Sequence, residues 1–299
     1  MTRMRGIVVP TVTPFTEDDR IDFEAIGRLV GYLVAKGVHG LYPCGSAGEM
    51  LKMTVSERKA VAEETVRASD GRVPVFVHVG AATTKDTVEL AEHAVEIGSQ
   101  GIGVVTPQYF TVNDRELIEF FSTVASSVPE DFPVYLYALP QCAVNDIPPR
   151  IIPELRAKAP NIVGIKYSWT DFVRIKDFLR FDGFDVIIGL DRFILPGLSM
   201  GCKGTVSGCS QAFPDPFVAQ FNAFERGDLE TARKEFFKST ELCEIVKAGG
   251  NTAYFKSALK LNGVIESHMR APGLDLTDEE EKALEADLAA FKKRYGYMG

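Results

Sequence analysis

No uninterrupted apolar run in this chain approaches the ~18 residues of a membrane-spanning helix, so a membrane partner is not expected. The start, Met1-Thr2-Arg3-Met4-Arg5-Gly6, leads straight into a strand-like stretch with no signal-peptide core behind it. Cysteine is scarce and scattered: Cys44, Cys142, Cys202, Cys209 and Cys243 are odd in number and form no Cys-x-x-Cys pair. That pattern suits free thiols in a reducing cytoplasm better than a disulfide framework or a structural zinc site. The four histidines (His39, His78, His93, His268) show neither His-x-His nor His-Glu-x-x-His spacing, so no metal site is expected. His78 lies in a buried apolar run and reads as a satisfied core histidine. Positive charge is in deficit, 33 Lys and Arg against 41 Asp and Glu, a net −8. Nucleic acid and anionic membrane surfaces need a basic patch, and neither is expected as a partner.

What is present is a repeating pattern. Apolar runs occur at Gly6–Val12, Val38–Cys44, Val73–Val79, Gly101–Thr106, Pro133–Leu139, Ile162–Tyr167, Asp185–Gly189 and Gly204–Ser207. They are apolar throughout rather than alternating, as parallel strands buried on both faces are. Between them lie segments of helical period. In Lys85–Ile97 a stripe of Val88, Ala91 and Val95 is flanked by Leu90, Ala94 and Ile97. Thr54-x-x-Glu57, Asn113-x-x-Glu116 and Thr277-x-x-Glu280 read as capping boxes that satisfy free N–H groups of a first helical turn. The alternation predicts an α/β fold, a closed (β/α)8 TIM barrel over residues 1–213. An open doubly wound sheet lacks its Gly-x-Gly-x-x-Gly fingerprint here. Residues 214–299 are helical in pattern, near Pro216–Arg226, Glu230–Val246, Ala253–Leu261 and Asp278–Arg294, and predict a C-terminal helical extension packed on the barrel.

In such a barrel the chemistry sits at the C-terminal strand ends. The second run closes in Cys44-Gly45-Ser46-Ala47-Gly48-Glu49. This is either a turn whose N–H groups converge on an anion such as a carboxylate, or a strand-to-helix turn in which glycine supplies positive φ. With Cys at position 44 it is not a Gly-x-Ser-x-Gly nucleophile elbow. The fifth run carries Tyr135 and Tyr137 on one face, the second nearer the C-terminal edge; packing is the ordinary role of such a tyrosine. The sixth, Ile162-Val163-Gly164-Ile165-Lys166-Tyr167, encloses a lysine in an apolar strand. Desolvating an ammonium is costly, and the neutral amine is the form that attacks a ketone to make a Schiff base. The competing reading is an edge lysine that reaches solvent along its stem.

Gly45-Ser46-Ala47-Gly48-Glu49, Tyr137 with Pro140, and Gly164-Ile165-Lys166, in this order, resemble the pyruvate-dependent class I aldolases of the dihydrodipicolinate synthase and N-acetylneuraminate lyase family. The resemblance runs from Thr11-Val12-Thr13-Pro14-Phe15 to Arg270-Ala271-Pro272. It implies that Lys166 forms the Schiff base, that Tyr137 shuttles the proton, and that the Ser46–Ala47 turn binds the pyruvate carboxylate. Tyr109 would serve a neighbouring subunit's site, which implies a homo-oligomer, a tetramer. Substrate contacts are implied for Ala47, Ser168, Gly189, Asp191, Arg192, Ser207 and Cys142. No cofactor is implied beyond the covalent pyruvate imine, and the partners are a 2-oxo acid and an aldehyde.

The departures bear on substrate. The synthases carry an arginine where Cys142 stands, and favour Asn-Pro-x-Pro-x-Lys where this chain reads Asn251-Thr252-Ala253-Tyr254-Phe255-Lys256. Lys166-Tyr167-Ser168-Trp169-Thr170-Asp171 and Gly189-Leu190-Asp191 look more like the neuraminate lyases. Those lyases, however, usually have glutamate at Arg192 and serine at Gly208. Ala47 replaces a hydroxyl residue and Ala138 an asparagine. The expectation is a lyase or aldolase of a 2-oxo sugar acid, neuraminate lyase-like, with a dihydrodipicolinate synthase, a keto-deoxy sugar acid aldolase or dehydratase, and a non-catalytic binding paralogue as alternatives. Arg192 is either a solvated helix-start arginine or the group that meets a second anion on the substrate.

Overall fold

The computed structural model describes residues 1–297. Eight strands are present: β1 Gly6–Val9, β2 Gly40–Leu41, β3 Phe76–His78, β4 Gly101–Val105, β5 Val134–Ala138, β6 Ile162–Tyr167, β7 Asp185–Ile188 and β8 Gly204–Val206. All pair in parallel, in the order β2-β1-β8-β7-β6-β5-β4-β3. A bridge between Leu41 and Val75, with the His78 N–H on the Pro43 carbonyl at 3.1 Å, brings the two ends together. This is the expected TIM barrel with C-terminal helices. The strands are shorter than the apolar runs because Pro10, Pro43 and Pro74 have no N–H to offer a ladder. Cys44, at φ +62°, turns the chain out of the strand.

All three capping boxes form. The helix expected at 85–97 is Thr84–Glu96, capped by Thr83. Its buried stripe is Thr87, Leu90, Ala91 and Ala94, so the face is rotated from the expected one: Val88 and Val95 lie only half-buried at its edge. Thr87 joins the buried face because its hydroxyl donates to the Thr83 carbonyl (2.9 Å) and accepts from Ala81 N–H (3.1 Å). A hydroxyl so satisfied is buried at little cost, which hydropathy does not show.

The helix Asp215–Glu225 follows β8 and packs on β1 and on helix Ile194–Met200. That is the place of an eighth barrel helix, so we propose that the barrel unit runs through Arg226 rather than ending at 213. Helices Leu229–Ile245, Thr252–Leu261 and Asp278–Tyr295 follow.

Side chains pointing into the barrel stack in layers. Met4, Val8, Tyr42, Phe76, Tyr135, Val163, Ile187 and Val206 form one buried cluster. At its floor the Tyr135 hydroxyl donates to Asp185 (3.1 Å) and accepts from the Met4 N–H (2.8 Å). Gly103 leaves the space that the Tyr42 hydroxyl fills; a Cβ there would stand 1.9 Å from that oxygen.

The register between β5 and β6 slips, pairing Val134 with Ile162 but Tyr135 with Gly164. Val163 is thus an extra residue on β6, a bulge of the kind that re-aims a side chain beside a site. Strict alternation would put Lys166 on the face opposite Val163. The bulge puts both inside.

Two substitutions test this packing. Gly103→Ala should destabilise the fold by ~1–3 kcal/mol through overpacking. Gly31→Ala, in a helix with nothing within 4 Å of the new methyl, should stabilise it by ~0.4–1 kcal/mol. Urea unfolding reads both, and equal effects would contradict the layer assignment.

Candidate active site

Lys166 is 5% exposed, with Nζ 3.8 Å from the centre of the Tyr137 ring and 4.9 Å from that of Tyr42. Among the described residues no carboxylate lies within 4 Å of it. Tyr137, the β5 register partner of Lys166, lies inside as the period-two reading predicts. Its hydroxyl is 3.4 Å from Ser46 Oγ. The ring rests among Met50, Val105, Leu139 and Ala143, and His78 meets it edge-on at 5.9 Å.

His78 is fully buried, and its Nδ1 lies 3.0 Å from the Cys44 carbonyl. A carbonyl only accepts, and Arg58 Nη2, 3.4 Å from Nδ1, already donates to the His78 carbonyl at 2.8 Å, so we assign the proton to Nδ1; Nε2 is then a lone pair without a partner among the described residues. Burial first, then the Arg58 guanidinium and Lys166, hold its pKa well below 6.5. The expected satisfied core histidine is therefore half satisfied, and it faces the site. The buried Tyr42 hydroxyl and Ser168 Oγ are likewise unpartnered among the described residues. Burial, with Tyr137 nearby, pushes the Tyr42 phenol well above its ordinary value.

The turn after β2 departs from the expectation that its glycines supply positive φ. The left-handed residues are Cys44 (φ +62°) and Glu49 (φ +57°), while Gly48 provides close approach, its Cβ site lying 3.1 Å from the Thr11 carbonyl. The N–H groups of Gly48, Glu49 and Met50 fold back on the carbonyls of Gly45 and Ser46. Those of Ser46 and Ala47 donate to no protein acceptor among the described residues, so two adjacent donors stand ready for an anion.

Glu49 anchors this turn, and nothing in the sequence pattern singled it out for that task. Its buried carboxylate lies 2.6 Å from Lys256 Nζ, itself 1% exposed, and 2.8 Å from Lys52 Nζ. Lys256 also donates to the His268 carbonyl at 2.5 Å, so the turn is tied to helix Thr252–Leu261 and to the strap before Arg270. Desolvation lowers the Lys256 pKa and Glu49 opposes that shift.

The remaining expected residues fall in separate groups. Asp191 accepts from the Ser207 hydroxyl and from the Cys209 N–H (3.0 Å), which locks the loops after β7 and β8 together. Gly189 makes room for Ser168, whose Oγ would lie 1.7 Å from a Cβ there. Arg192 is exposed and has no side-chain partner among the described residues. Tyr109 is 82% exposed at φ +74°, its ring against the equally outlying Phe110. Ala47 is half-buried in the turn.

Cys142 lines a 240 Å³ cavity with Ser46, Gln108, Leu139 and Met269 at the mouth of the barrel. A larger surface hollow of 740 Å³ between Thr16–Glu24 and Glu57 shares no residue with it.

One grouping was not expected: Asp191, Cys209 and Cys243 bring their ligand atoms within 4.8 Å of one another. The Cys243 hydrogen bond, burial and Asp191 all push the Cys209 thiol well above its ordinary value. A metal binds thiolate, so Cys209 would have to give up its proton against all three of these effects.

Two predictions follow from the buried charges. Folded His78 resists protonation while unfolded His78 takes a proton below pH 6.5. Stability should then fall with pH below 6.5 by up to ~1.4 kcal/mol per unit from this group. His78→Gln should lose that slope, and an imidazole signal titrating near 6.5 in the folded protein would contradict it. Lys256→Met should cost about 3 kcal/mol, the lower end for breaking a buried pair, because Lys52 still reaches Glu49. Adding Glu49→Gln should recover at least half of the loss in urea unfolding; no recovery would mean the pair is not what Lys256 serves.

Comparison with known proteins places the chain. Residues 3–291 match the model of the dihydrodipicolinate synthetase family. A 4-hydroxy-tetrahydrodipicolinate synthase of Thermus thermophilus is 34% identical over 296 residues, covering 98% of this chain and 97% of that one. The pyruvate complex of YagE, a prophage protein of the dihydrodipicolinic acid synthase family from E. coli K12, superposes with a TM-score of 0.91 at 29% identity, over 97% of this chain and 99% of that one. A catalytic-lysine mutant of the sialic acid aldolase of Ruminococcus gnavus superposes at 0.90 with 26% identity, over 97% of each chain. The chain belongs to the dihydrodipicolinate synthetase family.

Proposed function

We propose that this protein is a pyruvate-dependent Schiff-base lyase or aldolase that cleaves or forms a 2-oxo acid. The observation that carries the reading is Lys166 itself, buried at the C-terminal end of β6 against the Tyr137 ring, without a carboxylate partner among the described residues. The pyruvate complex of YagE and the lysine mutant of the sialic acid aldolase, both on this fold, support it.

The Lys166 amine adds to the C2 carbonyl of the 2-oxo acid. The carbinolamine loses water, and the protonated imine becomes the electron sink. In the cleavage direction Tyr137 takes the proton of the C4 hydroxyl, the C3–C4 bond breaks into an aldehyde and an enamine, and the enamine regains a proton at C3. Water then releases pyruvate and the free lysine. The Ser46 and Ala47 N–H groups hold the carboxylate, and Ser46 Oγ, 3.4 Å from the phenol, orients it.

The further assignments rest on exposure and chemistry. Tyr109 and Phe110, 82% and 74% exposed, fit a role in a neighbouring subunit's site and with it the tetramer. The five unpaired cysteines fit a cytoplasmic protein. Ser168 with Gly189, and Asp191 with Ser207, form two groups on the β6–β8 side of the mouth and would border the substrate. Arg192, exposed and without a side-chain partner among the described residues, fits the solvated helix-start reading.

Pyruvate with borohydride should add a reduced pyruvyl group at Lys166, and Lys166→Ala should lose it. Peptide mass analysis showing no adduct, or adducts on surface lysines alone, would overturn the reading. Tyr137→Phe should keep the adduct while turnover drops ~10²–10⁴-fold. Near-normal turnover would return Tyr137 to a packing role.

A further inference from the structure

Resting on the Lys166–pyruvate reading, we infer that the second substrate is a small uncharged aldehyde with an apolar body and one hydrogen-bond acceptor, rather than a sugar or a carboxylated aldehyde. The cavity beside Ser46 carries the argument. Met50, Leu51, Val105, Leu139, Ala143 and Met269 make its apolar walls. Four of the side chains that also surround Tyr137 (Met50, Val105, Leu139, Ala143) belong to this set, so the apolar surface is continuous with the proposed proton shuttle.

The charges in the wall are already matched. Lys52 lies 2.8 Å from Glu49 and donates to the Arg270 carbonyl at 2.7 Å, while the other Glu49 oxygen is 2.6 Å from Lys256. That leaves no cation in the lining to meet a second carboxylate, and Arg192 is not part of it. At position 142 the lining has a thiol rather than a base.

Size points the same way. At 240 Å³ the cavity is smaller than the ~300–1,000 Å³ of ordinary ligand pockets, so a long sugar chain is poorly housed. Each hydroxyl of a polyol would also need a partner, and the uncharged hydrogen-bonding side chains of the lining are few: Ser46, Gln108 and Thr252. One of these stands apart: among the described residues, the buried Gln108 Nε2 has no acceptor. Its N–H selects a ligand that brings an acceptor of its own.

The test is aldol addition of pyruvate to a panel: benzaldehyde and 2-furaldehyde against glyceraldehyde, N-acetylmannosamine and aspartate semialdehyde. The kcat/KM for the first two should exceed each of the others by about tenfold or more, the value of one or two well-made contacts. A sugar or aspartate semialdehyde turning over best would overturn the inference. So would a panel in which nothing reacts although Lys166 still forms its pyruvate adduct. Absence of that adduct with pyruvate alone is the separate failure of the underlying reading.

Cys142→Arg, at an exposed position, should move the ratio of aspartate semialdehyde to benzaldehyde upward by about tenfold or more. An unchanged ratio in a variant that still forms the adduct would show that this wall does not meet the second substrate. Gln108→Leu should cost 2-furaldehyde more than benzaldehyde, and equal losses would remove the acceptor from the proposal.

Discussion

The site depends on one lysine side chain being held inside a barrel with aromatic rings for neighbours. Lys166 lies over the Tyr137 ring and near that of Tyr42, with no carboxylate in reach among the described residues. With no fixed anion to hold it, the amine remains free to bond to carbon. Much of the surrounding geometry serves that placement. The bulge at Val163 turns Lys166 inward, Gly103 admits the Tyr42 hydroxyl, and the buried proton on His78 Nδ1 keeps the imidazole fixed on the Cys44 carbonyl.

A second device fixes the other half of the site. The Ser46–Ala47 turn leaves the strand through a left-handed Cys44 and ends at a left-handed Glu49. A non-glycine residue stays in that region only when its surroundings over-determine it, and the Lys256 and Lys52 contacts on Glu49 do so. The helices after the barrel therefore contribute to the site itself, since Lys256 comes from one of them. Removal of that helix would free the turn on which the carboxylate is proposed to rest.

The barrel was legible because its strands are buried on both faces and so read as unbroken apolar runs. Strand ends were less so, since Pro10, Pro43 and Pro74 withdraw donors inside runs that hydropathy counts as continuous. Lys166 stood out as a charge in an apolar strand, yet its inward aim depends on a bulge that alternation does not reveal. The carboxylate role of the Ser46–Ala47 turn came from the family resemblance, and the closeness of Ser46 to Tyr137 only from the fold, since no spacing links them. The Glu49–Lys256 pair and the Asp191–Ser207 lock join residues far apart in sequence, and no periodicity links such residues. Thr87 was overlooked on its helix face because a satisfied hydroxyl is buried as readily as a methyl group.

The central claim is that Lys166 converts pyruvate into an imine and then an enamine with no aldehyde present. Exchange of the pyruvate methyl protons for deuterium, followed by proton NMR in D₂O, reads that step directly and is indifferent to the second substrate. The account predicts methyl exchange well above the uncatalysed rate in the unmutated protein, abolished by Lys166→Ala. Exchange at the background rate, or exchange that survives Lys166→Ala unchanged, would contradict it.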